Sequence, residues 1–132
     1  MVIVDTSVWV DALNGVSTRQ VEVLSQLIRE NKDVCLTPTI LQETLQGLRS
    51  DEDFDRLHYR LGGFQLLLLN QEDSAVQAAT LYRELRKKGV TIRKSNDCLI
   101  AVYAISYGAE LLHFDRDYDI IALHSPLKIF TY

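Results

Sequence analysis

The chain has 132 residues, of which 47% are hydrophobic, and its formal net charge at pH 7 is −4. This size and apolar content predict one compact domain over residues 1–132, and the mild acidity disfavours a protein that coats nucleic acid non-specifically. No apolar run is long enough to cross a bilayer, and the start, Met1-Val2-Ile3-Val4-Asp5, lacks the basic segment of a signal peptide. We therefore expect a cytoplasmic protein with no membrane partner.

In the first half of the chain, short apolar segments alternate with helical patterns. Residues 2–4 are apolar without alternation, which is typical of a strand buried on both faces. Caps, apolar spacing and stop signals predict the elements that follow. They are a helix capped by Thr6 or Ser7 and ended by Asn14-Gly15, a helix from Ser17 or Thr18, a strand at 33–36, a helix opened by Thr37-Pro38-Thr39, and a helix over 51–61.

The second half of the chain centres on an almost wholly apolar helix, predicted over residues 95–107. Its side chains leave little face for water, so we expect it to be buried. Ser95 or Asn96 can cap its first turn, where the helix dipole favours the carboxylate of Asp97. The elements predicted around it are a strand at 64–69, a long helix that begins within 70–73 and reaches Lys88, a strand at 110–114 and an edge strand at 128–131.

This alternation predicts an α/β fold with a central, mostly parallel sheet of about four or five strands flanked by helices. In such sheets, ligands bind beyond the carboxyl ends of the strands. Asp5 ends the first strand, Asp115 follows a later strand, and Asp117 lies two residues further on. Glu43 lies in the helix after the second strand, and Asp97 opens the central helix. Each acid alone fits a cap, a turn or a solvated helix position, but together they are expected to meet at one sheet edge.

Carboxylates that share one pocket repel each other, and a hard divalent cation removes that cost. Mg²⁺ and Mn²⁺ prefer oxygen ligands, and bound Mg²⁺ usually keeps several waters and reaches for phosphate oxygens. Such an ion activates water and stabilises the charge that grows on a phosphodiester. No Cys/His spacing suggests zinc, and Cys35 and Cys98 are expected to be reduced core residues. The acids therefore predict metal-dependent hydrolysis of a phosphodiester.

Four motifs carry these acids: Asp5-Thr6-Ser7 after an apolar strand, Glu43 in an early helix, Asn96-Asp97-Cys98-Leu99-Ile100-Ala101, and Phe114-Asp115-Arg116-Asp117-Tyr118. In their order and in the length of the chain, they resemble the PIN-domain nucleases, and more closely the VapC toxins of bacterial and archaeal toxin–antitoxin pairs. The resemblance covers essentially the whole chain. It implies an Mg²⁺- or Mn²⁺-dependent endoribonuclease that acts on RNA, is inhibited by a cognate VapB-like antitoxin and forms a homodimer.

The resemblance also assigns roles to residues by their position in the motifs. It implies that Asp5, Glu43, Asp97 and Asp115 are catalytic and that the metal ligands come from Asp5, Asp97, Asp115 and Asp117. In this scheme Glu43 orients or deprotonates the attacking water, and the products carry a 5′-phosphate and a 3′-hydroxyl.

Three residues beside the acids are open to more than one interpretation. Arg93 and Lys94 end a basic stretch that leads into Asp97, so they fit a substrate-binding surface for RNA phosphates, although cations also suit a solvated helix end. His113 stands where many members of the family have Thr or Asn. That departure leaves open which group hydrogen-bonds Asp115.

Alternative functions also follow from the sequence. A PIN-fold module that binds RNA or protein without cutting is disfavoured by the intact set of acids, because clustered charge is costly without a metal. A phosphotransfer enzyme or aspartyl-phosphate receiver is disfavoured because Val4-Asp5-Thr6-Ser7 has no second Asp two residues after Asp5. Leu41, Leu45 and Leu48 fit either an exposed groove for an antitoxin helix or simple core packing.

Overall fold

A five-stranded parallel sheet forms the centre of the computed structural model, which describes residues 1–132. The strands are β1 (Val2–Val4), β2 (Val34–Leu36), β3 (Gln65–Leu66), β4 (Glu110–Leu112) and β5 (Lys128–Ile129). Their order across the sheet is β3-β2-β1-β4-β5, and every neighbouring pair is parallel. The predicted α/β class and sheet size are confirmed.

Seven helices connect and flank the strands. They are α1 (Thr6–Leu13), α2 (Arg19–Arg29), α3 (Pro38–Gln46), α4 (Asp51–Leu61), α5 (Gln71–Lys87), α6 (Ser95–Tyr107) and α7 (Arg116–Leu123). None of them is long and apolar enough to cross a membrane.

The central strands are buried because helices cover both of their faces, as their uninterrupted apolar sequences predict. In β1, Ile3 and Val4 are fully buried, and Ile3 pairs with Cys35 on one side and Leu111 on the other. Cys35 and Cys98 are free, buried thiols as expected. Burial raises the pKa of Cys35 to about 12 and that of Cys98 to about 11, so both remain protonated at neutral pH.

Helix α6 has the predicted bounds and lies in the core, where it packs chiefly against α5. It ends at Gly108, whose φ of 64° is the left-handed conformation that glycine adopts without strain. The predicted cap was wrong, because the N-cap position is Lys94 and no side chain caps the first turn. The free N–H groups and positive dipole at this end therefore face the acids that gather there.

Several predicted strands are shorter in the structure, and one helix was not predicted. The run at 64–69 pairs with β2 over Gln65–Leu66 alone, and β4 stops at Leu112. Helix α7 was not predicted, because its sequence begins with an acid-rich stretch. Its first-turn acids suit the positive helix terminus, while Tyr118 and Ile121 are fully buried.

Candidate active site

Parallel pairing brings the acids that follow β1 and β4 to the same edge of the sheet. Val4 pairs with Leu112, and the backbone N–H of Asp5 donates to the carbonyl of Leu112 at 2.9 Å. Asp5 and the segment from His113 to Asp115 therefore leave the sheet side by side. Helices α6 and α7, which pack against each other, begin at this same edge.

Asp5 has two structural roles, one for each carboxylate oxygen. It is the N-cap of α1, where Oδ2 accepts from the Ser7 backbone N–H at 3.4 Å and from Ser7 Oγ at 2.9 Å. The predicted cap at Thr6 or Ser7 was therefore wrong. Oδ1 points instead towards Tyr118. Capping fixes the orientation of a carboxylate whose second oxygen remains directed into the site.

The hydroxyl of Tyr118 joins the carboxylates of Asp5 and Asp97. Its Oη lies 3.0 Å from Asp5 Oδ1 and 3.1 Å from Asp97 Oδ1, and the whole residue is inaccessible to solvent. A phenol has only one proton, so the two carboxylates share a single donor. Burial and the two acids raise the pKa of Tyr118 far above its ordinary value, so it stays a donor.

Asp97 is the least satisfied of the acids. It is 6% exposed, and its Oδ2 is buried without any hydrogen-bond partner. Burial, with a further contribution from neighbouring Asp5, raises the pKa of Asp97 to about 6. A buried carboxylate oxygen that lacks a partner is costly in a folded protein. This oxygen is therefore well suited to bind a cation.

Asp97, Asp115 and Asp117 can together hold a metal ion. Each offers an oxygen, and the three oxygens lie within 4.8 Å of one another. Asp115 is also the N-cap of α7, where its Oδ1 accepts from the Asp117 backbone N–H at 3.0 Å. Carboxylate oxygens are ligands for hard divalent ions, and the buried Asp97 Oδ2 has no hydrogen bond to give up on binding one.

Two exposed cations lie over the acids. Arg93 Nε donates to Asp117 Oδ2 at 3.2 Å, and its Nη2 donates to Asp115 Oδ1 at 3.2 Å. Lys94 Nζ is 3.8 Å from Asp115 Oδ2, which is an ion-pair distance but not a hydrogen bond. The two bases predicted to bind phosphate thus contact carboxylates here.

His113 supplies the hydrogen bond to Asp115 that the sequence left open. Its Nδ1 accepts from the Asp115 backbone N–H at 3.0 Å, so the ring proton is on Nε2, which donates to Asp119 Oδ1 at 3.1 Å. The ring is buried and packs beside Tyr118. His113 therefore positions Asp115 through its backbone, from the side away from solvent.

Glu43 lies on α3, beside the beginning of α1. It is half-buried, and its Oε1 accepts from Thr6 Oγ1 at 2.9 Å. Because Thr6 directly follows Asp5, this hydrogen bond holds Glu43 next to the first acid without placing it in the three-aspartate group.

A comparison with protein families matches residues 2–123 to the PIN domain. The chain belongs to the PIN-domain family. Among curated proteins, this PIN domain is 36% identical to ribonuclease VapC11 of Mycobacterium tuberculosis and to VapC ribonuclease Mb1587 of Mycobacterium bovis. Each match extends over 129 residues, 97% of this chain and 96% of the relative. The resemblance to VapC proteins in the sequence motifs is thereby confirmed.

Solved structures similar to this PIN domain include several toxin–antitoxin complexes. VapBC2 from Rickettsia felis, bound to a promoter DNA fragment, matches with a TM-score of 0.75 at 21% identity, covering 98% of both chains. FitAcB from Neisseria gonorrhoeae matches with a TM-score of 0.72 at 22% identity, covering 99% of this chain and 97% of that one. At these identities, the matches establish the shared fold.

The predicted site residues of the PIN domain occupy one edge of the sheet. Asp97, Asp115 and Asp117 form the three-aspartate group, Asp5 joins it through Tyr118, and Glu43 lies beside Asp5 through Thr6. Tyr118 was not among the predicted site residues, although it follows Asp117 directly. An aromatic residue with a polar tip inside an acidic motif is the signal that could have identified it.

The three leucines considered for an antitoxin groove differ in their burial. Leu45 is buried in the core, while Leu41 and Leu48 are partly buried and packed against it. Leu48 also lines a surface cavity with Leu13 and Leu57, so core packing accounts fully for Leu45 alone.

Proposed function

We propose that this protein is the toxin of a type II toxin–antitoxin pair and an endoribonuclease that depends on Mg²⁺ or Mn²⁺. The observation that carries the proposal is the buried, unpartnered Oδ2 of Asp97 beside the carboxylates of Asp115 and Asp117. RNA as substrate is supported by 36% identity to proteins named VapC ribonucleases over nearly the whole chain. An antitoxin partner is supported by structural neighbours solved as toxin–antitoxin complexes.

Each acid then has a role set by its position. Asp5, Asp97, Asp115 and Asp117 would hold the ion directly or through water. When bound, the ion lowers the pKa of coordinated water and stabilises negative charge on the phosphate. Glu43, held beside Asp5 by Thr6, would orient the attacking water and accept its proton. His113 and Tyr118 keep the carboxylates in position.

The reaction is hydrolysis of an RNA phosphodiester. Water attacks phosphorus, the bond from phosphorus to the 3′-oxygen breaks, and that oxygen leaves as a 3′-hydroxyl. The other product carries a 5′-phosphate. Arg93 and Lys94 lie where they can contact the phosphates beside the scissile bond once substrate is present. Homodimer formation, which the family resemblance implies, stays a prediction.

The function is tested by incubating the purified protein with a panel of transfer, ribosomal and messenger RNAs in Mg²⁺, in Mn²⁺ and in excess chelator. We expect cleavage with either ion and none with chelator, because the acids have no other way to activate water. The new ends should be substrates for an exonuclease that requires a 5′-phosphate. Cleavage that persists in chelator would contradict metal dependence, and intact RNA under all conditions would favour the non-cleaving binding module.

A further inference from the structure

Arg93 is held across the mouth of the acidic site by two carboxylates. The backbone N–H of Arg93 donates to Asp117 Oδ2 at 3.5 Å, and Arg93 Nε donates to the same oxygen at 3.2 Å. Arg93 Nη2 donates to Asp115 Oδ1. The side chain of Arg93 is 68% exposed, whereas those of Asp115 and Asp117 are 13% and 7% exposed. The acids are therefore fixed by the fold, and the arginine is the partner that can move.

The same two acids belong to the group that can hold a divalent ion. A guanidinium in contact with their oxygens repels an incoming dication and occupies acceptor positions that the ion needs. We propose that Arg93 is a built-in competitor of the metal ion for Asp115 and Asp117, and that it is released when the ion binds. This inference rests on the proposed function, because it assigns a regulatory role to a residue of the same site.

Release is energetically feasible because the exposed guanidinium returns to water, while the ion replaces it as the partner of the two buried acids. The backbone N–H of Arg93, which also contacts Asp117, does not have to move with the side chain. The released guanidinium can instead form paired hydrogen bonds with an RNA phosphate, a geometry that suits arginine well. Metal loading then frees a substrate contact, so metal and RNA favour each other's binding through this residue.

The competition is tested by calorimetric titration of Mn²⁺ into metal-free protein without RNA. We expect Arg93→Gln to bind Mn²⁺ roughly three- to tenfold more tightly than the wild type, because a competing cation has been removed. Lys94→Gln should tighten binding less, since Lys94 makes no hydrogen bond to the acids. Unchanged or weaker Mn²⁺ binding by Arg93→Gln would overturn the proposal.

Arg19→Gln is the matched control for the loss of one positive charge. Arg19 pairs with Glu22 at 3.2 Å and is 63% exposed, much like Arg93. It lines a cavity of about 530 Å³ with Met1 and Val2, at the amino end of the strands. The three-aspartate group lies at the opposite, carboxyl end of the strands. We expect the Mn²⁺ affinity of Arg19→Gln to match the wild type. Equal tightening in both variants would show a general charge effect and would also overturn the proposal.

Cleavage kinetics add a second readout of opposite sign, with the KM for RNA measured at saturating Mn²⁺ and the half-saturating Mn²⁺ concentration measured in a separate Mn²⁺ series. Arg93→Gln should raise the KM for RNA about tenfold, because the freed phosphate contact is lost, while its half-saturating Mn²⁺ concentration falls. A residue with only a structural role would weaken both ligands together. An unchanged KM for RNA would overturn the proposal that the released guanidinium of Arg93 binds an RNA phosphate. If neither protein cleaves RNA, the proposed function fails, and calorimetry still decides the competition.

Discussion

Asp97→Asn is expected to lower the rate of RNA cleavage by about a thousandfold while making the metal-free protein more stable. The substitution keeps the size of the side chain and removes the charge on the oxygen best placed for a metal, the buried and unpartnered Oδ2. The catalytic part is measured as kcat and KM at saturating Mn²⁺. A rate within tenfold of the wild type would contradict the role of Asp97.

The gain in stability has a separate physical cause. Burial and the nearby charge of Asp5 raise the pKa of Asp97 to about 6, so an ionised Asp97 destabilises the folded state at pH 7 and above. That penalty falls as the pH drops through 6, because the folded protein then binds a proton more readily than the unfolded chain does. Allowing for solvent around the open site, we expect Asp97→Asn to gain about 1–2 kcal/mol at pH 7.5 and less at pH 5.

Thermal denaturation in chelator at both pH values measures this effect. Asp53→Asn is a suitable control, because Asp53 is an exposed acid on α4 whose partner is Arg56. It should leave cleavage unchanged and give no gain in stability at pH 7.5. If Asp97→Asn were instead less stable than the wild type at that pH, an ionised Asp97 would not destabilise the metal-free folded protein.

Tyr118→Phe is expected to have the second largest effect, a decrease in kcat of about ten- to a hundredfold with little change in KM. The hydroxyl touches no substrate in this account, but it holds Asp5 and Asp97 at one separation. Without it, two buried carboxylates lose their shared donor and separate. The same change should cost about 1–2 kcal/mol of stability and weaken Mn²⁺ binding.

The matched control for Tyr118→Phe is Tyr107→Phe. The hydroxyl of Tyr107 donates to the Leu68 carbonyl at 2.6 Å, at the opposite end of helix α6 from Asp97. Its removal is chemically identical, yet it should leave kcat and Mn²⁺ affinity unchanged. Equal kinetics for the Tyr118 variant and the wild type would show that the carboxylates are held by other contacts.

The sequence predicted correctly those features that depend on residues close together in the chain. Helix α6 was placed correctly because its apolar residues, its closing glycine and its polar start all lie within one short stretch. That Asp5 and Asp115 leave the sheet at the same edge was foreseeable because parallel strands end at a common edge. Glu43 and Asp97 were expected at the same edge because of where their helices begin, and the family motifs then implied their roles.

Contacts between distant segments could not be predicted in this way. Tyr118 reaches Asp5 across 113 positions of the chain, and no spacing rule indicates where a buried hydroxyl points. The sequence placed Arg93 beside the site but could not show that its guanidinium contacts the acids. His113 was ambiguous because its hydrogen bond to the Asp115 backbone depends on how the chain turns after β4.

As alternatives to metal binding, the sequence offered a helix cap for Asp5 and the start of a turn for Asp115. The structure gives both residues a capping role and leaves both in the site. This is possible because a carboxylate has two oxygens and several acceptor positions. A helix cap that fixes one carboxylate oxygen also orients the other. Capping of α1 and α7 therefore supports the proposed metal-binding role of Asp5 and Asp115.

The central claim is that acids from separate segments form one site for a divalent ion. Crystals grown with Mn²⁺ and measured at a wavelength where manganese scatters anomalously test it most directly. We expect one strong anomalous peak beside Asp97 Oδ2, within coordinating reach of Asp115 and Asp117, with the Arg93 guanidinium displaced. Well-occupied manganese elsewhere, with Asp97 Oδ2 still unliganded, would contradict it.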